Sequence, residues 1–273
     1  MPTRNPHPLW TTRSHRLRRW TFPHHPEAGF PYFPSHRVGA MVTGGPAAAT
    51  SETLQRTMMM LDAPTLAAQL RQPHGEAALA VADSMNRSNG ALNLAAIGLL
   101  AVGAGERVLE VGPGNAAFAP LMLQATGSHY LGIELSTAMV EAGTQRLADA
   151  GVAERAAMRH GDAHALPVAD AAMDAALAVN TLYFWPNLAP VLDELARVLR
   201  RGGRLCLAFG DASFMRSLPF AADFQLHELD AVELALRVSG FRVSAWRSHR
   251  ESAAGNDGQT REKHFHLLLA QRH

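Results

Sequence analysis

From residue 106 to the end of the chain, short apolar runs alternate with longer segments in which apolar residues recur every three or four positions. The longer segments predict helices at 115–125, 136–151, 187–203 and 228–239. The short runs predict strands at 107–112, 129–135, 173–184, 204–210, 241–249 and 263–272, with a further short strand within 156–163. Strands that alternate with helices favour an α/β, doubly wound architecture, in which a mostly parallel sheet carries helices on both faces.

The last two runs depart from this alternation. A loop that contains the turn residues AGNDG, and no helix, joins 241–249 to 263–272, which predicts an antiparallel pair at the edge of the sheet. We therefore expect the His-Phe-His triplet at 264–266 to lie on an edge strand. Helix ends are marked as well: Ser136 is placed to cap one helix, and glycine is expected to close the helix at 187–203.

Residues 58–102 also have a helical pattern. Three helices are predicted there, at 63–72, 75–89 and 91–102. We interpret 58–102 as a helical N-terminal cap that precedes the α/β domain at 103–273.

Residues 1–57 differ in composition from the rest of the chain. They are rich in proline, histidine and arginine, and Glu27 is the only acid in the first 40 residues. Such a segment has too little apolar surface to offset its chain entropy, so it is interpreted as a disordered or misassigned N-terminal extension. A transit peptide and an arm that binds nucleic acid are the alternatives.

Composition narrows the class of protein. The formal net charge of +1 gives no global field that would recruit nucleic acid or an acidic membrane. The longest apolar window, 92–105, is too short to span a bilayer. Cys206 is the only cysteine, so no disulfide forms within the chain, which fits a cytoplasmic protein with Cys206 as a small buried side chain.

Candidate chemistry begins where the strand at 107–112 ends. Its apolar run contains Glu110 and breaks at Gly112 and Gly114, which let the backbone turn sharply and approach a ligand. In a doubly wound sheet the ligand crevice lies at this end of the strands. The spacing fits a dinucleotide such as NAD or a nucleoside sulfonium, and Glu134 could hold ribose hydroxyls in either.

Two acidic residues distinguish between a dinucleotide and a nucleoside sulfonium as the ligand. Glu110 would repel a pyrophosphate but attract an amino-acid group that carries an ammonium. Asp162 follows the strand within 156–163, where it could accept a hydrogen bond from the exocyclic amine of adenine. Both observations favour the sulfonium.

Five segments, in order, resemble the class I S-adenosylmethionine-dependent methyltransferases, from their glycine-rich first motif to their fifth strand. They are VLEVGPGNA (108–116), LGIELSTAMVEAG (131–143), GDAHALP (161–167), MDAALAVNTLYFWPN (173–187) and ELARVLRRGGRLCLA (194–208). The resemblance covers about 106–210 and departs from the family at Ala116, which stands for the third glycine. Finer likeness is to the small-molecule branch, near the ubiquinone and menaquinone biosynthesis methyltransferases.

The resemblance implies a Rossmann-like, seven-stranded sheet with an antiparallel final hairpin, and methyl transfer from S-adenosylmethionine to a small organic acceptor. No metal is implied, and nucleic acid is not expected as a partner. The implied cofactor-binding residues are Glu110, Gly112, Gly114, Glu134, Asp162, Ala163 and Asn180.

Aromatic and apolar residues after the fourth and fifth strands are expected to line the acceptor pocket, namely Tyr183, Phe184, Trp185, Phe214 and Met215. In-line displacement from a sulfonium needs alignment and desolvation, and needs a base only where the acceptor must lose a proton. Tyr183 and His164 are the candidate bases by topology. The alternatives are an NAD-dependent oxidoreductase and a methyltransferase-like protein that binds without catalysis.

Overall fold

The computed structural model describes residues 61–254 and 260–273. The extension expected at 1–57 lies outside the described residues. The division between a cap at 58–102 and a domain at 103–273 stays a prediction.

Seven strands form one sheet in the order β3-β2-β1-β4-β5-β7-β6. Strands β1 to β5 pair in parallel, whereas β7 pairs antiparallel with both β5 and β6. This confirms the doubly wound, Rossmann-like sheet with an antiparallel final hairpin. The strands are β1 (Arg107–Val111), β2 (His129–Glu134), β3 (Ala156–His160), β4 (Met173–Val179), β5 (Leu199–Gly210), β6 (Phe241–Ala254) and β7 (Thr260–Arg272).

Helices cover both faces of the sheet. Apolar residues alternate between the faces along each buried strand, so Leu109 of β1 joins one apolar cluster and Val108 the other. The helices are α1 (Ala63–Arg71), α2 (Ala78–Ser88), α3 (Gly90–Leu100), α4 (Ala119–Met122), α5 (Thr137–Asp149), α6 (Leu188–Val198), α7 (Ala212–Met215) and α8 (Leu229–Val238), with 3₁₀ turns at Leu182–Phe184 and Ala221–Asp223. No described helix combines the length and the apolar composition that a bilayer crossing requires.

Side-chain caps fix where three of these helices begin. The Oδ1 atom of Asp62 accepts a hydrogen bond from the Thr65 N–H at 2.9 Å, which starts α1. The Oγ atom of Ser136 accepts one from the Met139 N–H at 3.2 Å, as the sequence predicted for α5. Asn187 caps α6 through its Oδ1 atom.

The predicted helix at 115–125 shrinks to the single turn α4. Gly114 and Ala116 have φ values of 57° and 53°, in the left-handed region, so an α-helix cannot begin until the chain has passed them. The predicted strand at 173–184 ends early for the same reason, because Asn180 has a φ of 55° and the chain then turns at Leu182–Phe184.

Two expectations, one about the end of a helix and one about the position of a strand, were wrong. Glycine does not close α6: it ends at Val198, and Gly202 and Gly203 lie inside the long strand β5. The triplet 264–266 is not on the edge, because β7 lies between β5 and β6. The physical reason is that β7 carries Leu267 and Leu268, which are buried on opposite faces, whereas β6 exposes polar side chains along much of its length.

Candidate functional site

A cavity of about 160 Å³ lies at the carboxyl ends of β1, β2 and β4, where the order of strands reverses around β1. All three acids singled out in the sequence line it, so Glu110, Glu134 and Asp162 converge on one space. The other residues predicted for cofactor binding line it too: Gly112, Gly114, Ala163 and Asn180.

Glu110 is a buried carboxylate with one neutral partner. Its side chain accepts a 2.7 Å hydrogen bond from the Tyr130 hydroxyl. Burial raises the pKa of Glu110 to about 7, against the lowering effect of the Tyr130 hydrogen bond and with a smaller raising effect from the charge of Glu134. Near neutral pH the Glu110 carboxyl group is therefore only partly ionised, and a cation bound beside it would favour the ionised form.

Tyr130 is a site residue that the sequence analysis missed. It lies on β2, and its ring reaches Glu110 on β1 across Gly132, which pairs with Glu110 in the strand register. A Cβ at Gly132 would lie 2.9 Å from the Tyr130 oxygen, so glycine makes room for this contact. A tyrosine two positions before a strand glycine is the signal that could have identified it.

The turn after β1 depends on two glycines for different reasons. Gly112 has a φ of 68°, and a Cβ there would lie 2.5 Å from the Cγ2 atom of Thr181. Gly114 has a φ of 57° and open space where its Cβ would be. Ala116 adopts the same left-handed conformation, so the alanine that departs from the family motif still has the backbone shape of a glycine.

Glu134 ties this turn to the end of β2. Its Oε2 atom accepts the Gly114 N–H and its Oε1 atom accepts the Ser136 N–H, both at 2.9 Å. Burial raises the pKa of Glu134 although these bonds act in the opposite direction. Each carboxylate oxygen has two lone pairs, so both can still accept a bond from a ligand hydroxyl.

Asp162 lies at the more open side of the cavity. Its Oδ1 atom accepts the His164 N–H at 2.9 Å and is 2.8 Å from the His164 ring Nδ1. The backbone hydrogen bond from His164 lowers the pKa of Asp162, so this side chain is an anion. His164 lines this cavity as well, with its ring held by Asp162.

A second cavity, of about 290 Å³, adjoins the first. It is lined mainly by apolar and aromatic side chains from α1, α2, α7 and the segment 218–224. The predicted acceptor-pocket residues Tyr183, Phe184, Phe214 and Met215 line it. The residues that line both cavities are Leu70, Met85, Asn89, Asn180 and Phe184.

Trp185 does not belong to this second set. It is 4% exposed and lines the first cavity instead, because the 3₁₀ turn at Leu182–Phe184 redirects the chain after Phe184. The expectation that all three aromatic residues share one wall was therefore wrong for Trp185.

Tyr183 is held at the boundary between the cavities. Its hydroxyl donates to the Oδ1 atom of Asn180 at 3.0 Å and accepts the Gly210 N–H. Burial raises the pKa of Tyr183, which keeps the hydroxyl protonated and disfavours the predicted role as a general base. The same contacts fix the side chain of Asn180.

Helices α1 and α2 close the first cavity through contacts that the sequence did not reveal. The Ser136 hydroxyl donates to the Pro73 carbonyl, and the Gln72 amide donates to the Leu135 carbonyl at 3.1 Å. Asn86 on α2 donates to the Oδ1 atom of Asn115, just after the glycine turn, at 2.9 Å. These bonds join the helices to the carboxyl edge of the sheet.

The sheet order, the glycine turn after β1 and the acids at the carboxyl ends of β1, β2 and β3 define a Rossmann-like methyltransferase fold. Residues 109–207 match the family model described as "Methyltransferase domain". This part of the chain is therefore a methyltransferase domain of the class I, S-adenosylmethionine-dependent type.

Known proteins are similar to part of this chain. Over 110 residues the chain is 38% identical to the 27-O-demethylrifamycin SV methyltransferase of Amycolatopsis mediterranei (strain S699), covering 40% of this chain and 40% of that protein. Over 104 residues it is 36% identical to the demethylmenaquinone methyltransferase of Clavibacter sepedonicus, covering 38% of this chain and 41% of that protein. The chain thus matches about two fifths of the length of these curated relatives.

A solved structure shares the fold. The geranyl diphosphate methyltransferase in complex with SAM superposes with a TM-score of 0.59 at 17% identity, covering 76% of this chain and 94% of that one. At this identity the likeness concerns the fold alone.

Proposed function

We propose that this protein transfers a methyl group from S-adenosylmethionine to a small, largely apolar organic acceptor. The observation that carries the proposal is the pair of adjoining cavities, one with three carboxylates and one that is mainly apolar. A cationic nucleoside fits the first, and an apolar acceptor fits the second.

The residues of the first cavity suit the parts of this cofactor. The buried carboxylate of Glu110 would accept a hydrogen bond from the ammonium of its amino-acid group. Glu134 would hold the ribose hydroxyls with its remaining lone pairs, and Asp162 with Ala163 would contact adenine. Because Gly112 and Gly114 have no Cβ, the cofactor would be able to approach the backbone of the turn closely.

When bound, the cofactor supplies an activated methyl group, so the protein's contribution is alignment and exclusion of water. Asn180 lines both cavities and is fixed by Tyr183, which suits it to orient the two reactants. Aromatic side chains of the second cavity would hold a flat or apolar acceptor and keep water away. No residue is proposed as a general base.

The curated relatives support the small-acceptor part of the proposal, because their names describe methyl transfer to a rifamycin and to a demethylmenaquinone. A cytoplasmic location is also proposed. Cys206 is free and buried, as in proteins of reducing compartments. We propose no nucleic-acid partner.

Thermal unfolding with ligands tests the cofactor. At about 100 times its dissociation constant, S-adenosylhomocysteine should stabilise the protein by about 2.7 kcal/mol and raise the melting temperature, whereas NADH should leave it unchanged. The variant Glu134→Gln should lose most of the shift, since only a carboxylate can bind both backbone N–H groups and a hydroxyl pair. A shift with NADH alone would support the oxidoreductase and contradict the proposal.

Turnover requires a separate assay. Transfer of labelled methyl from S-adenosylmethionine should be observed with at least one member of a panel of quinone-like and polyketide acceptors. Binding of S-adenosylhomocysteine without transfer across such a panel would favour the non-catalytic alternative.

A further inference from the structure

The second cavity is apolar except at one end, where β7 contributes two cations. Arg261 and Lys263 line it there, and its other polar lining residues are uncharged. No aspartate or glutamate is among the described residues that line this cavity. The charged side chains that line this cavity are therefore cations, in contrast to the first cavity, which is lined by three acids.

Lys263 is an unusual residue in this position. It is the only lysine in a chain whose other basic side chains are arginines, and it is 5% exposed. Lysine is almost never buried unless it is paired, because burial disfavours the ammonium form. Burial accordingly lowers the pKa of Lys263, and the charge of Glu251 on β6 acts in the opposite direction.

The Lys263 ammonium makes two hydrogen bonds, both to Ser88. Its Nζ atom donates to the carbonyl of Ser88 at 2.9 Å and to the Ser88 hydroxyl at 2.8 Å. The nearest carboxylate oxygen, on Glu251, is 3.9 Å away, which is beyond hydrogen-bond distance. An ammonium has three N–H donors, and among the described residues the third has no acceptor within hydrogen-bond distance.

Ser88 also connects this cation to the reaction site. It ends α2, and the next residue, Asn89, lines both cavities. Elsewhere in the lining of this cavity, the Tyr183 and Phe224 rings are stacked with centroids 5.5 Å apart, and Phe184 meets Phe224 edge to face at 5.1 Å. The cavity thus offers aromatic rings and, in Lys263, a buried cationic donor whose side chain is held by Ser88.

We propose that Lys263 determines acceptor specificity: the acceptor is an apolar, preferably aromatic molecule with an anionic oxygen, a carboxylate or phenolate, that accepts the third Lys263 N–H. This inference rests on the proposed function, since it concerns the acceptor side of the same site. A charge-assisted hydrogen bond in a buried site should discriminate about tenfold or more against a neutral analogue.

Titration calorimetry with three probes of the same aromatic body tests this inference. The probes are 2-naphthoate, its neutral methyl ester and the cationic 2-naphthylmethylamine, each added to the 273-residue chain saturated with S-adenosylhomocysteine. We expect the carboxylate to bind about tenfold more tightly than the ester, and the amine to bind weakest. Equal affinities for the three probes, or the reverse order, would overturn the inference without any variant.

The variant Lys263→Gln provides the residue-level test. It should bring the affinities of 2-naphthoate and its ester within about twofold of each other, because the charged donor is lost. The matched control is Arg242→Gln, which removes an exposed cation from β6 and should keep the tenfold preference. A preference that survives in Lys263→Gln would exclude Lys263 as its source.

Failure of the proposed function would show separately. S-adenosylhomocysteine is titrated alone first, and an absence of binding there contradicts the cofactor assignment whatever the naphthoate series shows. Lys263→Gln should bind S-adenosylhomocysteine as the wild type does, since Lys263 lines only the second cavity.

Discussion

At the scale of single residues, the site depends on glycines that have positive φ or lack a clashing Cβ, and on burial, which raises the pKa of a carboxyl group. Gly112 and Gly114 turn the chain with positive φ, and Gly132 leaves space for the Tyr130 hydroxyl. Tyr130 then gives the buried Glu110 its neutral partner, at 2.7 Å. The result is a carboxyl group with a pKa of about 7, which is sensitive to the charge of a ligand.

The two glycines of the turn should differ in their response to alanine. Gly114→Ala should reduce the free energy of unfolding by about 1 kcal/mol, because only the left-handed backbone is strained. Gly112→Ala should cost about 2 to 4 kcal/mol, since its Cβ also collides with the Thr181 methyl group. Urea denaturation measures both.

Thr181→Ser provides the control for that clash, because it removes the methyl group and keeps the hydroxyl. In the Thr181→Ser background, Gly112→Ala should cost about as much as Gly114→Ala does, about 1 kcal/mol. An undiminished cost would show that the clash with Thr181 is not the cause.

Glu110 should make cofactor binding depend on pH. Between about pH 7 and about pH 5.5 the affinity for S-adenosylmethionine should fall about tenfold, because protonation removes the charge that attracts the ammonium. Glu110→Gln should bind more weakly at pH 7 and show a much flatter profile. Calorimetry at constant ionic strength measures this, and parallel profiles for the two proteins would contradict the assignment.

At the scale of elements, the first cavity is closed by α1 and α2, which hydrogen bonds join to the carboxyl edge of the sheet. The Ser136 side chain both caps α5 and binds the Pro73 carbonyl, so one hydroxyl starts a helix and holds the end of α1. Asn86 adds a second tie, from α2 to Asn115. Closure of the cavity is therefore coupled to the start of α5.

Removing the Ser136 hydroxyl should have two effects. Ser136→Ala should lower the free energy of unfolding by about 1 kcal/mol through loss of the cap. It should also speed amide hydrogen exchange in residues 66–73 and weaken S-adenosylhomocysteine binding, because α1 loses its anchor.

Asn187→Ala is the matched control, since Asn187 caps α6 and has no bond to α1 or α2 among the described contacts. It should cost a similar free energy and leave exchange in residues 66–73 and the affinity unchanged. Equal effects of the two variants on exchange would refute the coupling.

At the scale of the whole molecule, two adjoining cavities differ in the charged side chains that line them. One cavity gathers carboxylates from three strand ends, and the adjoining one gathers aromatic rings and two cations from β7. The free energy of unfolding depends on the first cavity, because ionisation of the buried Glu110 carboxyl destabilises the folded state when no cation is bound.

This cost predicts how the ligand-free protein responds to pH. The folded-state pKa of Glu110, about 7, exceeds the ordinary value of 4.5, so its contribution is full below about pH 4.5 and is lost as the pH rises through 7. Relative to Glu110→Gln, the wild type should lose up to about 3 kcal/mol of unfolding free energy between about pH 5 and about pH 8. Urea denaturation of both proteins checks this. Saturating S-adenosylhomocysteine should reduce the difference, and identical pH profiles would exclude a buried, ionising Glu110.

Much of the fold was predictable because it depends on local patterns. The alternation of apolar and periodic segments predicted the strands and the long helices, and Ser136 was recognised as a cap. The errors fell where a backbone conformation is set by distant contacts. Asn180 and Ala116 have left-handed backbone conformations, which their residue types do not predict. Each shortened a predicted element, the strand at 173–184 and the helix at 115–125 respectively.

The sequence by itself determined the architecture and the set of acids at the strand ends, because hydrophobic periodicity and turn formation depend on residues close together in the chain. Only the tertiary structure decided which side chains share a cavity. Tyr130, Asn86 and Lys263 reach the site from separate elements, and their roles depend on register, burial and a gap left by a missing Cβ. Those quantities arise from residues far apart in the chain, so no local pattern encodes them.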